Sequence, residues 1–257
     1  MSDADKIVTG ADYVRQITAR ASDRRYRRAF QLLALRLTQP AETLLDFGCG
    51  PGIDARVYAE HGRRVWAYDV DTRMCDYLAV HCRDFIASGA VTLQRGAYRE
   101  FLDGPTPSGA PRVQLVTSDF APLNLIDDLG ELFARFAALT SPTGAVLASV
   151  LSPYFIGDLR YGWWWRNVGR LWRQGSFAVP GAQALIWRRR LEDFALHCSP
   201  YFSLEQVFPG SLSGGRARAR GAWLPLGTCR FMFLLFRKRH PPGDNVPGSQ
   251  PPALRAS

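Results

Sequence analysis

Between residues 43 and 151 the chain switches repeatedly from a short apolar run to a helical period and back. TLLDFG (43–48), RVWAYD (64–69), VTLQRG (91–96), VQLVTSD (113–119) and AVLASVL (145–151) have the length and composition of strands. Between them lie IDARVYAEHG (53–62), stopped by Gly62, and DTRMCDYLAVHCRDFIASG (71–89), stopped by Gly89. A Pro/Gly loop (103–112) precedes the fourth strand, and LIDDLGELFARFAALT (125–140) leads through an SPTG turn into the fifth. Such alternation leaves few folds. Successive parallel strands need crossovers, and right-handed crossovers put helices on both faces of one sheet. The expected class is therefore α/β, with a doubly wound, mostly parallel sheet.

The flanks are different. Residues 11 to 38 predict a helix with Tyr26, Phe30, Leu33 and Leu37 on one face and Pro40 beyond its end, forming an N-terminal helical cap over residues 1–40. Beyond Leu151 the rhythm breaks into an Arg/Trp-rich segment, LEDFALHCSPYFSLEQVF (191–208), a Gly/Arg loop (213–221) and the strand CRFMFLLF (229–236). The expected organisation is a Rossmann-like core over 41–151, a segment 152–239 that completes the same domain, and a proline-rich disordered tail, 240–257.

The 257 residues are 47% apolar, enough for one sizeable core. The net charge of +9 is carried by arginine, since Lys6 and Lys238 are the only lysines among 32 basic residues. Such a balance attracts nucleic acid, anionic lipid or an acidic substrate without choosing among them. The cysteines (Cys49, Cys75, Cys82, Cys198 and Cys229) form no CxxC pair, which argues against a zinc site and for a reducing, cytoplasmic setting. MSDADKIVTGADYV lacks the pattern of a signal peptide, and the apolar run Phe231 to Phe236 is far short of the ~20 residues of a spanning helix.

The chemistry is written in LLDFGCGPG (44–52). A strand runs directly into Gly48, Gly50 and Gly52, whose backbones can turn tightly and approach a ligand closely. Asp69 ends the second strand, where a carboxylate can accept from both hydroxyls of a ribose. A dinucleotide fingerprint would need glycine at position 53, which is isoleucine. Asp46, just before the loop, suits a cationic cofactor better than a pyrophosphate, which it would repel.

These residues resemble motif I of the class I (seven-stranded, Rossmann-like) S-adenosylmethionine-dependent methyltransferases, over about residues 40 to 151. The resemblance implies a seven-stranded sheet, S-adenosyl-L-methionine as cofactor and a lid insertion after strand five. It implies that Asp46, Gly48, Gly50 and Gly52 line the methionine end, that Asp69 holds the ribose, and that Val70 and Met74 pack near the adenine. Many relatives keep an aspartate after the third strand for the adenine amine; here that position is Ala97, leaving Tyr98 or a backbone carbonyl to serve. Phe120 and Asn124 fall where relatives face the sulfonium, although Asn124 is also placed to cap helix 125–140.

Displacement at a sulfonium needs alignment and exclusion of water more than a catalytic triad. The candidates for a catalytic role are His197 and Tyr13, the latter resembling an N-terminal tyrosine of relatives. The [DN]PP[YFW] motif of amino-group methylators is absent after strand four, which reads DFAPLN. The expected acceptor is a small to medium hydrophobic molecule, aromatic or lipid-like, methylated on oxygen or carbon. The alternatives are an RNA methyltransferase, which the basic charge favours and the lack of an RNA-binding module disfavours, and a catalytically silent cofactor-binding or scaffolding protein.

In GDLRYGWWWRNVGRLWRQG (157–175), a helix would place Tyr161, Trp164, Trp165, Val168, Leu171 and Trp172 on one buried stripe. Arg166, Arg170 and Arg173 would face solvent with Trp163 among them. The expected role is a lid in which Trp163, Trp164 and Arg166 meet the acceptor. The rival is peripheral contact with a membrane.

Overall fold

The computed structural model describes residues 14–15, 19–104, 112–181, 184–209 and 229–239. Tyr13, the Gly/Arg loop and the 240–257 tail lie outside the described residues.

Nine strands and eight α-helices are found among them. The five strands expected from the alternation are β1 (Thr43–Phe47), β2 (Arg64–Asp69), β3 (Val91–Arg95), β4 (Val113–Ser118) and β5 (Thr140–Leu151). With β8 (Phe202–Pro209) and β9 (Phe231–Lys238) they form one seven-stranded sheet in the order β3-β2-β1-β4-β5-β9-β8. The first five are parallel; β9 is antiparallel to both β5 and β8. β6 (Ser176–Pro180) and β7 (Leu185–Arg189) form a separate antiparallel hairpin that the sequence pattern does not announce.

Helices α1 (Ala21–Arg36), α2 (Ile53–Glu60) and α3 (Thr72–His81) pack on one face of the sheet, through Phe30, Leu33, Tyr58 and Leu78. Helices α5 (Tyr98–Asp103), α6 (Leu129–Leu139) and α8 (Leu191–Cys198) cover the other, around Phe101, Phe133, Phe136 and Phe194. Burial on both faces is why the strands read as near-continuous apolar runs. Phe30 meets Phe233 edge-on at 5.3 Å, so α1 belongs to the common core.

Three local expectations are corrected. The long helix 71–89 is two, α3 and α4 (Arg83–Ala87), broken at Cys82, whose buried thiol donates to the Gly52 carbonyl at 3.6 Å. The SPTG segment is a bulge within β5 and not a turn before it, because pairing jumps from Val113–Thr140 to Leu115–Ala145. Helix α6 starts at Leu129, capped by Asp128, whose side chain accepts from the Glu131 N–H at 3.0 Å.

Candidate functional site

The loop after β1 passes over the carboxyl end of the parallel strands, the end at which open α/β sheets bind ligands. Gly48, Gly50 and Gly52 all take positive φ, at 71°, 53° and 79°. Their roles differ. A Cβ on Gly48 would come within 2.6 Å of Pro122, and one on Gly52 within 2.5 Å of Leu78, so these two permit close packing. A Cβ on Gly50 would meet nothing within 4 Å. The loop is therefore packed on both sides and open at its centre.

Asp69 stands beside that opening. Its two carboxylate oxygens accept from the backbone N–H of Gly50 at 2.7 Å and of Asp71 at 2.8 Å. The carboxylate is fixed in direction and keeps lone pairs for further donors. Burial pushes its pKa up, against the pull of those two N–H groups. Val70, the next residue, leaves 55% of its surface exposed, and Met74 is half-buried in the first turn of α3. An apolar patch thus lies next to the acid.

Beneath the loop three carboxylates gather. Asp46 accepts from the Thr117 hydroxyl at 3.1 Å, and its other oxygen is buried with no partner. Asp119 accepts from the Phe120 N–H at 2.9 Å through one oxygen, and its second is likewise buried without a partner. Asp54 is better served, by Arg27 from α1 and by Gln31 at 2.7 Å. Burial, then the charges of Asp54 and Asp119, push Asp46 well up, while Thr117 and Arg27 oppose them. Burial and the charge of Asp54 raise Asp119 to about 7, against Arg27, the Phe120 N–H and the Ser149 hydroxyl. Unpartnered carboxylate oxygens in a dry site favour a cationic ligand.

The chain after β4 is strained. Phe120 and Ala121 are both non-glycine residues in the left-handed region, with φ of 60° and 72°. Such strain persists only where the surroundings enforce it. Here the Phe120 ring lies 4.4 Å under the Arg27 guanidinium and 5.4 Å from the Phe231 ring.

Other candidate residues move to other roles. Asn124 is fully buried; it donates to the Trp187 carbonyl at 2.6 Å and accepts from the Leu151 N–H at 3.0 Å. It neither caps α6 nor has surface for a cofactor, but pins β7 across the ends of β4 and β5. Tyr98 packs its ring toward Phe47 in the core, so it leaves the adenine side. At the same turn the Glu100 carboxylate folds back over Gly96 and accepts from the Ala97 N–H at 3.2 Å. His197 sits in the last turn of α8, which runs down to Phe202; Phe202 pairs with Lys238, at the start of β5 and not its end. It is thus at the amino end of the sheet, away from the loops, with Nδ1 3.1 Å from the Asp193 carbonyl oxygen of its own helix.

The segment after β5 covers the same carboxyl ends. Helix α7 (Gly162–Gln174) is there, ended by Gly175 at φ 81°; Arg166, Arg170 and Arg173 face solvent as expected, but the packed face is shifted round the helix. Trp163, Trp164 and Val168 are half-buried and Leu171 fully buried, while Tyr161, Trp165 and Trp172 are exposed. Trp163 is stacked on Tyr161 at 6.1 Å, with the Arg188 guanidinium 5.5 Å from its ring. Arg188 is itself buried beside Asp158 at 3.2 Å. Trp163 therefore finds its partners within the chain. Arg166 points to solvent.

A seven-stranded sheet in this order, with a glycine loop after β1 and an acid ending β2, defines the class I methyltransferase-like Rossmann architecture. The chain belongs to the family described as "Methyltransferase domain", whose model matches residues 17–197. It is 30% identical over 138 residues to a malonyl-[acyl-carrier protein] O-methyltransferase of Serratia marcescens, covering 52% of this chain and 48% of that one. The chain spans about half the length of the curated relatives it matches. Among solved structures it shares its fold with the 1,6-didemethyltoxoflavin-N1-methyltransferase of Burkholderia thailandensis, bound to its substrate and S-adenosylhomocysteine (TM-score 0.58, 19% identity, 90% of this chain and 87% of that chain). It shares it also with the magnesium protoporphyrin IX methyltransferase of Synechocystis PCC 6803, bound to SAH (TM-score 0.58, 15% identity, 90% and 94%).

The titration of the carboxylate cluster has a testable consequence. Asp119 has a folded pKa of about 7, against an ordinary carboxylate value when unfolded. Between those values the folded protein holds a proton that the unfolded chain has lost, so stability falls as pH rises through the window. Thermal melts of the ligand-free protein should show a falling midpoint from mildly acidic to neutral pH, and Asp119→Asn should flatten that slope. An equally steep slope in the variant would reject the assignment.

Proposed function

We propose that the chain transfers a methyl group from S-adenosylmethionine to oxygen or carbon of a small or medium hydrophobic acceptor. The observation that carries this is the Asp69 carboxylate, fixed by Gly50 and Asp71 beside the one open glycine of the loop. The cofactor, when bound, supplies an electrophilic methyl on a sulfonium with a neutral leaving group. Asp69 would accept from the ribose hydroxyls, and Val70 and Met74 would cover one face of the base. Asp46 and Asp119, through their unpartnered oxygens, favour the cationic end of the molecule beneath Gly48 to Gly52. The family match supports methyl transfer, and the Serratia relative's name supports oxygen as an acceptor atom.

The chain's part in the reaction is alignment and exclusion of water. The strained Phe120–Ala121 step holds an aromatic ring at the carboxyl end of β4, and Asn124 pins the β6–β7 hairpin across the ends of β4 and β5. Labelled methyl transfer from S-adenosylmethionine into fractionated cell extract tests the reading. Label should enter an organic-extractable small molecule; label in RNA alone, or in nothing, would overturn it.

Glu100 is the residue we assign to the adenine amine in place of the aspartate that Ala97 displaces. A charge-assisted hydrogen bond of about 1.5 kcal/mol corresponds to roughly tenfold in affinity. S-adenosylhomocysteine should therefore outbind its deaminated inosine counterpart by about that factor in the native protein. The preference should vanish in Glu100→Ala; its persistence there would place the amine elsewhere.

A further inference from the structure

We propose that the exposed face of α7 is a docking surface for an anionic phospholipid bilayer, at the end of the sheet where the acceptor of the proposed reaction would enter. Its geometry is independent of the catalytic reading, so vesicle binding and methyl transfer can fail separately. Two large aromatic residues lie along this face, Trp165 at 61% and Trp172 at 56% exposure, and Tyr161, at the N-cap, is 41% exposed. The spacing of seven puts the two tryptophans on a single line along the helix. Ile156, in the preceding 3-10 turn, adds a further apolar side chain at 63% exposure.

Arg166, Arg170 and Arg173 lie alongside the aromatic line and are exposed too, and the helix carries no acidic residue. Gly162 and Gly169 fall between the two rows, so no bulky side chain separates them. Among the described residues, the opposite face is the packed one, through Trp163, Trp164, Val168 and Leu171. A 13-residue helix that turns indoles to water while burying a second apolar face is not explained by packing alone.

The chemistry of the face selects its occupant. The indole N–H of Trp165 is spent on the Leu159 carbonyl at 2.7 Å, so what this ring offers outward is apolar. Indoles beside guanidinium groups match the boundary between acyl chains and phosphate headgroups, with the rings dipping in and the arginines meeting the phosphates. An acidic protein partner would use the arginines but would leave the aromatic line without a reason. The location gives the surface a use. Helix α7 follows the 3-10 turn after β5, and its successor hairpin β6–β7 lies over the ends of β4 and β5. A protein docked through α7 would hold that end of the sheet toward the bilayer, where a hydrophobic acceptor dissolves. No described helix is long and apolar enough to cross a membrane, so any such attachment through them is to its surface.

Co-sedimentation with vesicles of phosphatidylcholine, with and without phosphatidylglycerol, tests this on the full chain. The protein should sediment with the anionic vesicles and not with neutral ones, and raising the salt should release it. The double variant Trp165→Ala/Trp172→Ala should lose at least about tenfold in vesicle affinity, and Arg166→Gln/Arg170→Gln/Arg173→Gln roughly fivefold per residue. All five residues are exposed, and a circular-dichroism melt confirms that each variant is folded. Quenching of tryptophan fluorescence by bromine-labelled lipid should be strong in the native protein and weak in the double tryptophan variant. No sedimentation with anionic vesicles, or unchanged binding by the folded double variant, would overturn the proposal. So would saturable binding to an acyl carrier protein together with indifference to vesicles, which would identify the partner as an acidic protein.

Discussion

Replacing Asp69 by alanine is expected to weaken the binding of S-adenosylmethionine at least about a hundredfold, with the fold intact. Two hydrogen bonds from ribose hydroxyls to a charged acceptor contribute about 1.5–3 kcal/mol each, and about 1.4 kcal/mol is tenfold in affinity. The residue also fixes the loop, since Gly50 and Asp71 both donate to it. Asp69→Asn separates these effects. It keeps one oxygen for the backbone but turns an NH2 group toward a donor, so it should recover part of the loop's order and little of the affinity. Calorimetric titration of the three proteins, each checked for its melting midpoint, makes the comparison. Unaltered affinity in a folded Asp69→Ala protein would remove the acid from the ribose site.

The second large effect divides the glycines. Gly52→Ala should destabilise the whole protein by about 2–5 kcal/mol, because a left-handed alanine costs about 1–2 kcal/mol and overpacking against a core leucine about 1–3. The leucine is Leu78, 2.5 Å from the new Cβ and completely buried, so it has nowhere to go. Gly50→Ala carries only the conformational cost, since the space around its Cβ is empty to 4 Å. Its melting midpoint should fall slightly while cofactor affinity drops sharply, because the added methyl stands where the ligand must approach. Denaturant unfolding and calorimetry on both variants read the two quantities separately. Comparable destabilisation of both, or a Gly50→Ala protein that binds like the native one, would show that the opening is not the ligand's.

Much of this was legible in the chain because it is local. The strand rhythm, the glycines after β1 and the acid ending β2 each depend on a few neighbouring residues, and the sheet follows from them by the rules of parallel crossover. What could not be read are pairings across distance. Arg27 meets Asp54 from another helix, and Asn124 meets Trp187 from a hairpin whose strands have no clear alternation. Helix α7 is the instructive case. Its period was visible, but its apolar arc is wide, and periodicity alone does not say that Trp164, Val168 and Leu171 pack with Trp163 while Tyr161, Trp165 and Trp172 stay exposed. The choice is made by Phe177 and Arg188 of the β6–β7 hairpin, against which the Trp163 ring packs. Glu100 was hidden for a similar reason. Its carboxylate reaches the loop after β3 only because the start of α5 turns it back onto the Ala97 N–H.

The central claim is that the site at the ends of β1 and β2 holds S-adenosylmethionine and not a dinucleotide. Calorimetric titration of the native protein with each ligand in turn is the direct measurement. Saturable one-to-one binding of S-adenosylmethionine, with none detectable for NAD, is the predicted result. Tighter binding of the dinucleotide, or no heat with either ligand, would contradict it.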